Sequence, residues 1–333
     1  MKKTIFSLLF ASIILCSGGL SRDSSASPAG RVFEISISHH TGEDNSWHRA
    51  CVFFKEYVEE RSGGRIKVKI YPNDQFGSEV ETIHSILTGG GADMTLTGES
   101  MQSVVPEMGV LAVPYLITSS EELNRVVNGA VGEKLEKLLA DKANMTVLGY
   151  FERGARNITA NRPIRKTRDM EGLRIRITAS KITMAAMNAL GASPMPMPLS
   201  EVQNALRRGV VEAQENPLAM IKTMKFYEAQ KFLCKTEHLR SWVYIVISES
   251  KLNAMPEDLR SLVIEAGREM QRVEHEMFVR DEEDLESFLE DAGMTVVDDV
   301  DRKAFADTTL SAIETALPPE VRRLYDLIKS GKY

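Results

Sequence analysis

Apolar and polar residues alternate in two short stretches near the start of the chain, Val32–Ser38 and Arg65–Tyr71. Alternation with a period of two predicts β-strands that bury one face. Between them, Trp47–Arg61 repeats apolar residues every three or four positions and stops before Gly63-Gly64, which indicates an amphipathic helix with a glycine cap. A strand, a helix and a second strand in this order predict a parallel β-α-β unit.

The following stretch predicts a second helix and a third strand. Ser78–Glu81 has the sequence of a capping box, and the helix that it opens should end at Gly89-Gly90-Gly91. Ala92–Thr97 then predicts a strand. Ligands of open α/β sheets bind beyond the carboxyl ends of the strands, which makes Thr97 and Glu99 candidate site residues.

Similar elements return in the second half of the chain. Leu173–Ile177 predicts a strand whose apolar residues face one side, while Arg174 and Arg176 face the other. Val210–Gln214 predicts a further strand. Asn216-Pro217 predicts a helix start, with Asn as the N-cap and Pro as the first helical residue, and the N-terminus of a helix favours a nearby anion. The repetition predicts two α/β lobes.

Three long apolar patterns connect these regions. Met145–Phe151 and Trp242–Ile247 are continuously apolar, as in strands buried on both faces. Pro256–Ala292 predicts one long helix, which at ~1.5 Å per residue reaches roughly 50 Å and would brace both lobes. The predicted division is lobe I at 27–153 plus 242–280 and lobe II at 154–241 plus 281–333, with the helix at about 256–292 spanning both.

The N-terminus predicts a secretory signal peptide at 1–26. Lys2-Lys3 precedes an apolar run from Ile5 to Leu15, and Ser24-Ser25-Ala26 suits cleavage. Cys16 follows two bulky residues rather than a small one, so lipidation of this cysteine is not expected. No later apolar run approaches ~20 residues, which predicts a soluble protein outside the cytoplasm.

Composition narrows the class of protein further. The 333 residues are 43% hydrophobic, enough for two moderate cores, and the net charge of −6 gives no electrostatic footprint for nucleic acid. Cys51 and Cys234 fall in different predicted lobes, so they should be free, buried thiols rather than a disulfide.

Motifs for several kinds of chemistry are missing from the sequence. It contains no P-loop, no Gly-x-Ser-x-Gly and no pair of cysteines spaced to bind a metal. The adjacent histidines His39 and His40 should point to opposite sides of an extended segment, which argues against a zinc site, although His40 remains a candidate to line a cleft. We expect neither a metal nor a cofactor.

Cationic and amide side chains form the most suggestive constellation, namely Arg156, Arg176, Gln214 and Asn216. Arginine offers two parallel N–H groups to a carboxylate, so these residues predict a site for an organic anion. The competing interpretation is that the arginines only solvate a strand. Arg174 lies further from the carboxyl end of its strand than Arg176, which favours a structural or solvated role for Arg174.

An ordered set of motifs resembles one known family. They are Tyr71-Pro-Asn-Asp-Gln-Phe-Gly77, Gly154-Ala-Arg-Asn157, Asn161-Arg-Pro163, Gly172-Leu-Arg-Ile-Arg176, Gly191-Ala-Ser-Pro-Met-Pro196, Gln214-Glu-Asn-Pro217 and Lys225-Phe-Tyr227. In this order and spacing, over nearly the whole chain after the signal peptide, the sequence resembles the substrate-binding subunits of tripartite ATP-independent periplasmic (TRAP) transporters.

The resemblance implies a two-lobe, type II-like periplasmic binding protein with hinge strands and a long helix that braces both lobes. It implies a periplasmic, monomeric receptor that closes on an organic anion and delivers it to a membrane permease. In such receptors the residue that corresponds to Arg176 forms the central salt bridge to the ligand carboxylate, assisted by those corresponding to Arg156 and Asn216. Glu212-Ala213 departs from the Asp-Gly that is common there but leaves the asparagine in place.

The identity of the ligand has to come from the rest of the cleft. The candidates are His40, Asn45, Trp47, Thr97, Glu99, Gln214 and Trp242. Tryptophan faces stack on sugar C–H surfaces and polar groups bind hydroxyls, so we favour a sugar acid, such as a hexuronate, over a C4-dicarboxylate. For both tryptophans the competing interpretation is packing in the core.

Other functions remain open at this point. The same cleft would serve a C4-dicarboxylate or another organic acid, or a sensor subunit that presents its ligand to a membrane kinase. A secreted enzyme acting on an acidic sugar would need a carboxylate pair or a histidine over the substrate, and no such spacing stands out. We therefore expect a receptor rather than an enzyme.

Overall fold

Strands from both halves of the chain join in one mixed sheet. The computed structural model describes residues 31–333, so the predicted signal peptide lies outside the described residues. Within that range the strands are β1 (Phe33–Ser38), β2 (Ile66–Tyr71), β3 (Met94–Thr97), β4 (Met145–Ala160), β5 (Arg174–Ile177), β6 (Ser193–Pro196), β7 (Ala213–Pro217), β8 (Phe232–Ser248) and β9 (Thr295–Val297). Their order is β2-β1-β3-β8-β4-β7-β5-β6, with β9 paired to β8.

Helices cover this sheet. They are α1 (Ser46–Arg61), α2 (Glu79–Leu87), α3 (Ser120–Val127), α4 (Ala130–Ala143), α5 (Lys181–Ala189), α6 (Leu199–Arg207), α7 (Leu218–Thr223), α8 (Glu249–Asn253), α9 (Glu257–Glu282), α10 (Leu285–Asp291), α11 (Arg302–Ala316) and α12 (Pro319–Lys329). Short 3-10 helices include Glu99–Ser103 and Pro106–Ala112. No helix within residues 31–333 is long and apolar enough to cross a membrane.

The first β-α-β unit forms as predicted. β1 and β2 pair in parallel, with Phe33 opposite Ile66 and Ile37 opposite Ile70, because their apolar residues face the same core. The capping box is also present, since the side chain of Ser78 accepts a hydrogen bond from the Glu81 N–H and the Glu81 carboxylate accepts from the Ser78 N–H.

β4 and β8 are much longer than their apolar stretches predict. They pair antiparallel from Met145 opposite Ser248 to Ala160 opposite Phe232. One end of this pair joins β3, β1 and β2, and the other joins β7, β5 and β6, as well as β9. We call these the first half and the second half of the sheet. β4 and β8 thus run through both.

Register shifts interrupt the long pair in its middle. One lies between Glu152 and Gly154, and Gly154 has φ +75°, a left-handed conformation that glycine adopts without strain. The polar residues of this segment are not typical of a buried strand, so the sequence predicted only the end of the pair formed by Met145–Phe151 and Trp242–Ile247. Residues Val32–Tyr333 form one compact unit, and the predicted lobe boundaries stay a prediction.

The prediction of a single helix over Pro256–Ala292 is wrong. α9 ends at Glu282 and α10 begins at Leu285. The charged run Arg280–Asp284 contains no apolar residue to hold a further turn against the protein, so the helix breaks there. With 26 residues, α9 is about 39 Å long at ~1.5 Å per residue. It nevertheless contacts α1, β4 and α7 and so touches elements of both halves.

The predicted helix start at Asn216-Pro217 is also wrong. Both residues end β7, and α7 begins at Leu218 without a side-chain cap. The Asn216 side chain forms hydrogen bonds with other side chains instead, so it does not cap α7. Cys51 and Cys234 are buried and unpaired by disulfide, which confirms that prediction.

Candidate functional site

A cavity of about 210 Å³ lies where the two halves of the sheet meet. This exceeds the ~150 Å³ that suffices to hold a benzene molecule, so a small organic acid fits. The first half contributes His40, Asp74, Ser78, Glu79, Glu99 and Ser100. β4 contributes Arg153, and the second half contributes Arg176, Thr178, Met197, Leu199 and Asn216. The carboxyl ends of β1 and β3, together with those of β5 and β7, therefore converge on this cavity, as expected for an α/β sheet.

Arg176 supplies the cavity with a positive charge that forms no direct ion pair with the described residues. It lies on β5 and is only 3% exposed. Its Nε and Nη2 donate to the carbonyl oxygen of Met197 at 3.0 and 2.6 Å, and its buried Nη1 has no hydrogen-bond partner among the described residues. No described Asp or Glu lies within 4.0 Å of it, unlike the other two buried arginines of the site.

Burial explains the electrostatic state of Arg176. Desolvation, opposed by the charge of Glu215 and reinforced by that of Arg156, lowers the pKa of its guanidinium to about 10. At neutral pH the group remains protonated. A buried cation without a carboxylate partner is costly, and binding of an anion would reduce that cost.

Arg156 stands behind the cavity wall and holds the second half of the site together. Its guanidinium donates to both carboxylate oxygens of Glu215 and, from Nη2, to the Glu215 carbonyl at 2.7 Å and the Asn216 Oδ1 at 3.1 Å. Burial raises the pKa of Glu215, but the positive charge of Arg156 and a hydrogen bond from His238 outweigh it and bring that pKa to about 2. Glu215 is therefore an anion at neutral pH.

A relay of side-chain amides orients Asn216. Gln214 donates to the Thr159 hydroxyl at 2.8 Å and accepts from Asn216 Nδ2 at 2.6 Å, while Asn216 Oδ1 accepts from Arg156. One N–H of Asn216 remains for the cavity, because its amide nitrogen carries two hydrogens. Alternation along β7 places Gln214 and Asn216 on one face.

Arg153 connects the cavity to Trp47. Its guanidinium lies 4.9 Å from the centre of the Trp47 ring, and its Nη1 is 3.7 Å from Glu99 Oε2. Desolvation lowers the pKa of Arg153 to about 10. Glu99 also lies 3.7 Å from Arg156 Nη1 and accepts a hydrogen bond from Ser241 at 3.2 Å. The carboxylate of Glu99 thus lies between two arginines and attracts both.

His40 is a neutral side chain on the cavity wall. Desolvation and then the charges of Arg153 and Arg176 lower its pKa to about 3, so it is uncharged at neutral pH. Its ring meets Trp47 edge to face, with centroids 5.1 Å apart. A neutral imidazole offers one donor and one acceptor to a ligand.

The family of the chain follows from its sequence. The profile of a family described as "Bacterial extracellular solute-binding protein, family 7" matches residues 37–317. The chain belongs to this family. A solute-binding protein of Roseobacter denitrificans is 36% identical over 296 residues, which cover 89% of this chain and 90% of that protein. The 2,3-diketo-L-gulonate-binding periplasmic protein of Escherichia coli is 30% identical over 314 residues, 94% of each chain.

Solved structures agree with the family. The crystal structure of the Roseobacter denitrificans protein, a TRAP periplasmic solute-binding protein with bound L-galactonate, aligns with a TM-score of 0.86 over 90% of this chain and 99% of that one. A TRAP solute-binding protein of Sulfurospirillum deleyianum with bound succinate is 25% identical, with a TM-score of 0.84 over 90% and 99% of the two chains. The resemblance to TRAP receptors and the two-lobe α/β fold are confirmed. The family consists of periplasmic solute receptors, not enzymes.

The structure divides the ten predicted site residues into groups. Arg176, Asn216, Glu99 and His40 lie on the cavity wall. Behind it are Arg156 and Gln214 in the amide relay, Trp47 under Arg153, and Thr97, whose hydroxyl donates to Glu79 at 2.8 Å.

Asn45 and Trp242 lie away from the cavity, so their positions do not support ligand contact. The Asn45 side chain caps α1 by accepting from the Trp47 N–H and also donates to Thr223 at 3.1 Å. Trp242 is fully buried in a hydrophobic core, because β8 continues through the sheet at this point.

Sequence reasoning missed Arg153, Asp74 and Glu79 on the cavity wall. Asp74 stands inside the motif Tyr71–Gly77, and Glu79 is the first residue of the helix that the capping box opens, so both had a local signal. For Arg153 the only sequence signal was its position next to Gly154. Which side of β4 meets the cavity depends on the register shift there.

Proposed function

We propose that this chain is a TRAP solute receptor that binds a sugar acid in the cavity and delivers it to a membrane permease. The observation that carries the proposal is the buried guanidinium of Arg176, which faces the cavity without a carboxylate partner among the described residues. Arg176 and Asn216 together offer a carboxylate both positive charge and N–H donors.

The geometry of Arg176 suits two-pronged binding. The Met197 carbonyl occupies one edge of the guanidinium, at Nε and Nη2. The opposite edge, formed by Nη1 and Nη2, still presents two parallel N–H groups, which match the two oxygens of a carboxylate. We propose that Arg156 acts by holding Asn216 and Glu215 in place rather than by contacting the ligand.

The relatives favour sugar acids as the ligand class. The Roseobacter denitrificans protein holds L-galactonate, and the Escherichia coli protein is named for 2,3-diketo-L-gulonate. The wall of the cavity carries further polar groups for hydroxyls, namely His40, Ser78 and Ser100. The second candidate is a C4-dicarboxylate, which the succinate-bound structure of Sulfurospirillum deleyianum supports.

We also propose that the first and second halves of the sheet belong to two lobes that close on the ligand, with β4 and β8 as the hinge. Two contacts between elements of the two halves support closure. Gln102 Oε1 accepts from the backbone N–H groups of Lys181 and Ile182 at 2.8 and 3.4 Å, and Asn45 donates to Thr223. Export by the predicted signal peptide, a monomeric state and the permease partner are parts of the same proposal.

A ligand screen tests the proposed function. The mature protein would be heated with sugar acids, C4-dicarboxylates, keto acids and neutral sugars, since a ligand that binds only the folded state raises the melting temperature. Calorimetry would then give the affinity of each hit. We expect sugar acids to give the largest shifts and the matching neutral sugars none. Equal binding of acid and neutral sugar would refute the role of Arg176.

A further inference from the structure

Three carboxylates line the cavity, and they differ in their partners. Glu99 lies 3.7 Å from the guanidinium groups of both Arg153 and Arg156. Asp74 and Glu79 have no cationic side chain within 4.0 Å among the described residues. Glu99 therefore has ion-pair partners within the protein, whereas Asp74 and Glu79 have none at that distance in the described part of the chain. The charge of Glu79 acts on the three buried arginines only from farther away.

Hydroxyl and backbone donors hold Glu79 in place. Its Oε1 accepts from the Thr97 hydroxyl at 2.8 Å and from the Gly98 N–H at 3.1 Å, and its Oε2 accepts from the Ser100 hydroxyl at 2.9 Å. A carboxylate accepts about four hydrogen bonds, so Glu79 keeps some capacity for a ligand hydroxyl.

Asp74 lies in the turn between β2 and α2. Its hydrogen bond from the Ser200 side chain crosses from the first half to the second half. Burial raises the pKa of Asp74, and the negative charges of Glu79 and Glu81 raise it further. Asp74 therefore sits in a negative part of the site.

Among the described residues, the cavity wall thus carries one cation without a direct carboxylate partner, Arg176, and two carboxylates without a direct cationic partner, Asp74 and Glu79. We propose that Asp74 and Glu79 form an acidic wall that makes the receptor specific for polyhydroxy monocarboxylates and excludes dicarboxylates. This inference rests on the proposed function, because it assumes that Arg176 holds the first carboxylate.

This selectivity follows from the charge at the end of the ligand that lies farthest from Arg176. A hydroxyl donates a hydrogen bond to a carboxylate oxygen, and such bonds to charged groups are the strong ones. A second ligand carboxylate, ionised at neutral pH, has no hydrogen to donate and meets like charge there. With Arg153 engaged by Glu99, no unbalanced cation on the described cavity wall is left to offset that repulsion.

Matched ligands test this wall. L-galactonate and galactarate share one carbon chain and differ in a second carboxylate at C6, and D-erythronate and meso-tartrate form a shorter pair of the same kind. Calorimetry on the wild type should show the dicarboxylate of a pair binding at least about 100-fold more weakly. Asp74→Asn and Glu79→Gln should each reduce this ratio at least about tenfold, mainly because the dicarboxylate binds more tightly.

Two control variants separate the wall from other roles. Glu81→Gln removes a nearby charge that does not line the cavity, and a glutamine still completes the capping box, so the ratio should not change. Ser200→Ala breaks the contact with Asp74 across the two halves. If Asp74 acts only through that contact, Ser200→Ala and Asp74→Asn will weaken both ligands of a pair alike, which would overturn the wall.

The outcomes distinguish the two proposals. Comparable affinities of the wild type for both members of a pair, or an unchanged ratio in folded Asp74→Asn, would refute the acidic wall but leave a carboxylate receptor. Failure of every acid in the screen to bind would refute the proposed function and the wall together. Glu79 is the first residue of α2, so circular dichroism has to verify that Glu79→Gln remains folded. If Glu79→Gln unfolds, Asp74→Asn alone tests the acidic wall.

Discussion

Replacing Arg176 isolates the group on which ligand binding should depend. Arg176→Met keeps a long, unbranched side chain of similar reach but removes the guanidinium. Arg176→Lys keeps the charge but loses the two parallel N–H groups. Since Arg176 has no carboxylate partner among the described residues, the substitution to Met breaks no salt bridge of the protein.

The size of the effect follows from the hydrogen bonds that the guanidinium has left. Of its five N–H groups, two point to the Met197 carbonyl, and two of the remaining three lie on the edge formed by Nη1 and Nη2. Each charge-assisted bond contributes about 1.5–3 kcal/mol, so two contribute about 3–6 kcal/mol. At about 1.4 kcal/mol per tenfold change, Arg176→Met should weaken the affinity at least about 100-fold, and Arg176→Lys should fall between it and the wild type.

Isothermal titration calorimetry with the best sugar acid of the screen measures this loss. Arg174→Met is the matched control, because Arg174 lies on the same strand, its side chain is 48% exposed and it pairs with Glu212 at the surface. We expect the control to bind like the wild type. Circular dichroism and melting temperatures show whether each variant remains folded.

One result would refute the reasoning about Arg176. If folded Arg176→Met bound the acid within about threefold of the wild type, the pair would contribute less than ~1 kcal/mol and Arg176 would not be the anchor. A loss of the same size in Arg174→Met would mean that general positive charge attracts the ligand, because the two variants remove the same charge.

Three further predictions concern stability and closure. Glu215→Gln leaves Arg156 without its closest anion and should destabilise the protein by about 3–5 kcal/mol in urea unfolding. Because the folded-state pKa of Glu215 is about 2, the wild type should lose the stability that ionised Glu215 contributes as pH falls from about 4.3 toward 2. Burial raises the pKa of Glu274 to about 8, so the cost of ionising this carboxyl in the folded state is absent below about pH 4.3 and grows up to about pH 8. Glu274→Gln should therefore raise the melting temperature by about 2 °C or more at pH 8 but hardly at pH 4. An equal gain at both pH values would contradict that assignment. Gln102→Ala removes the acceptor for the Lys181 N–H and should weaken every ligand by a similar factor of about 5–10, with a larger scattering radius at subsaturating ligand; an effect on one ligand alone would mean that Gln102 acts on specificity instead.

The periodicity of apolar residues was sufficient to predict an element wherever that element buries one face. The alternation in Val32–Ser38 and Arg65–Tyr71 predicted β1 and β2 and their parallel pairing. It was insufficient for β4 and β8, whose centres are polar. There Arg156 is only 1% exposed because Glu215, a residue 59 positions away, pairs with it. A pattern of apolar residues does not reveal such a partner.

The pattern of apolar residues also failed to predict the break between α9 and α10. The 3,4 spacing of Val263, Ala266 and Met270 correctly predicted a long helix against the protein. The apolar spacing ends before the helix does, and the charged run Arg280–Asp284 accounts for the stop at Glu282. The position of the helix, by contrast, depends on a tertiary contact, since a Cβ at Gly267 would lie 2.5 Å from the Leu148 Cβ on β4. Close packing against β4 thus positions α9.

From the sequence alone it was possible to predict the family and most of the local elements, and to single out Arg176 as a candidate ligand residue. These depend on residue type, spacing and motif order, all of which are local properties of the chain. Only the tertiary structure decided which buried charges are balanced. Arg156 and Glu215 neutralise each other, Arg153 lies near Glu99, and Arg176 has no carboxylate partner among the described residues. Electrostatic pairing is set by distances between residues far apart in the chain, and folding alone brings those residues together.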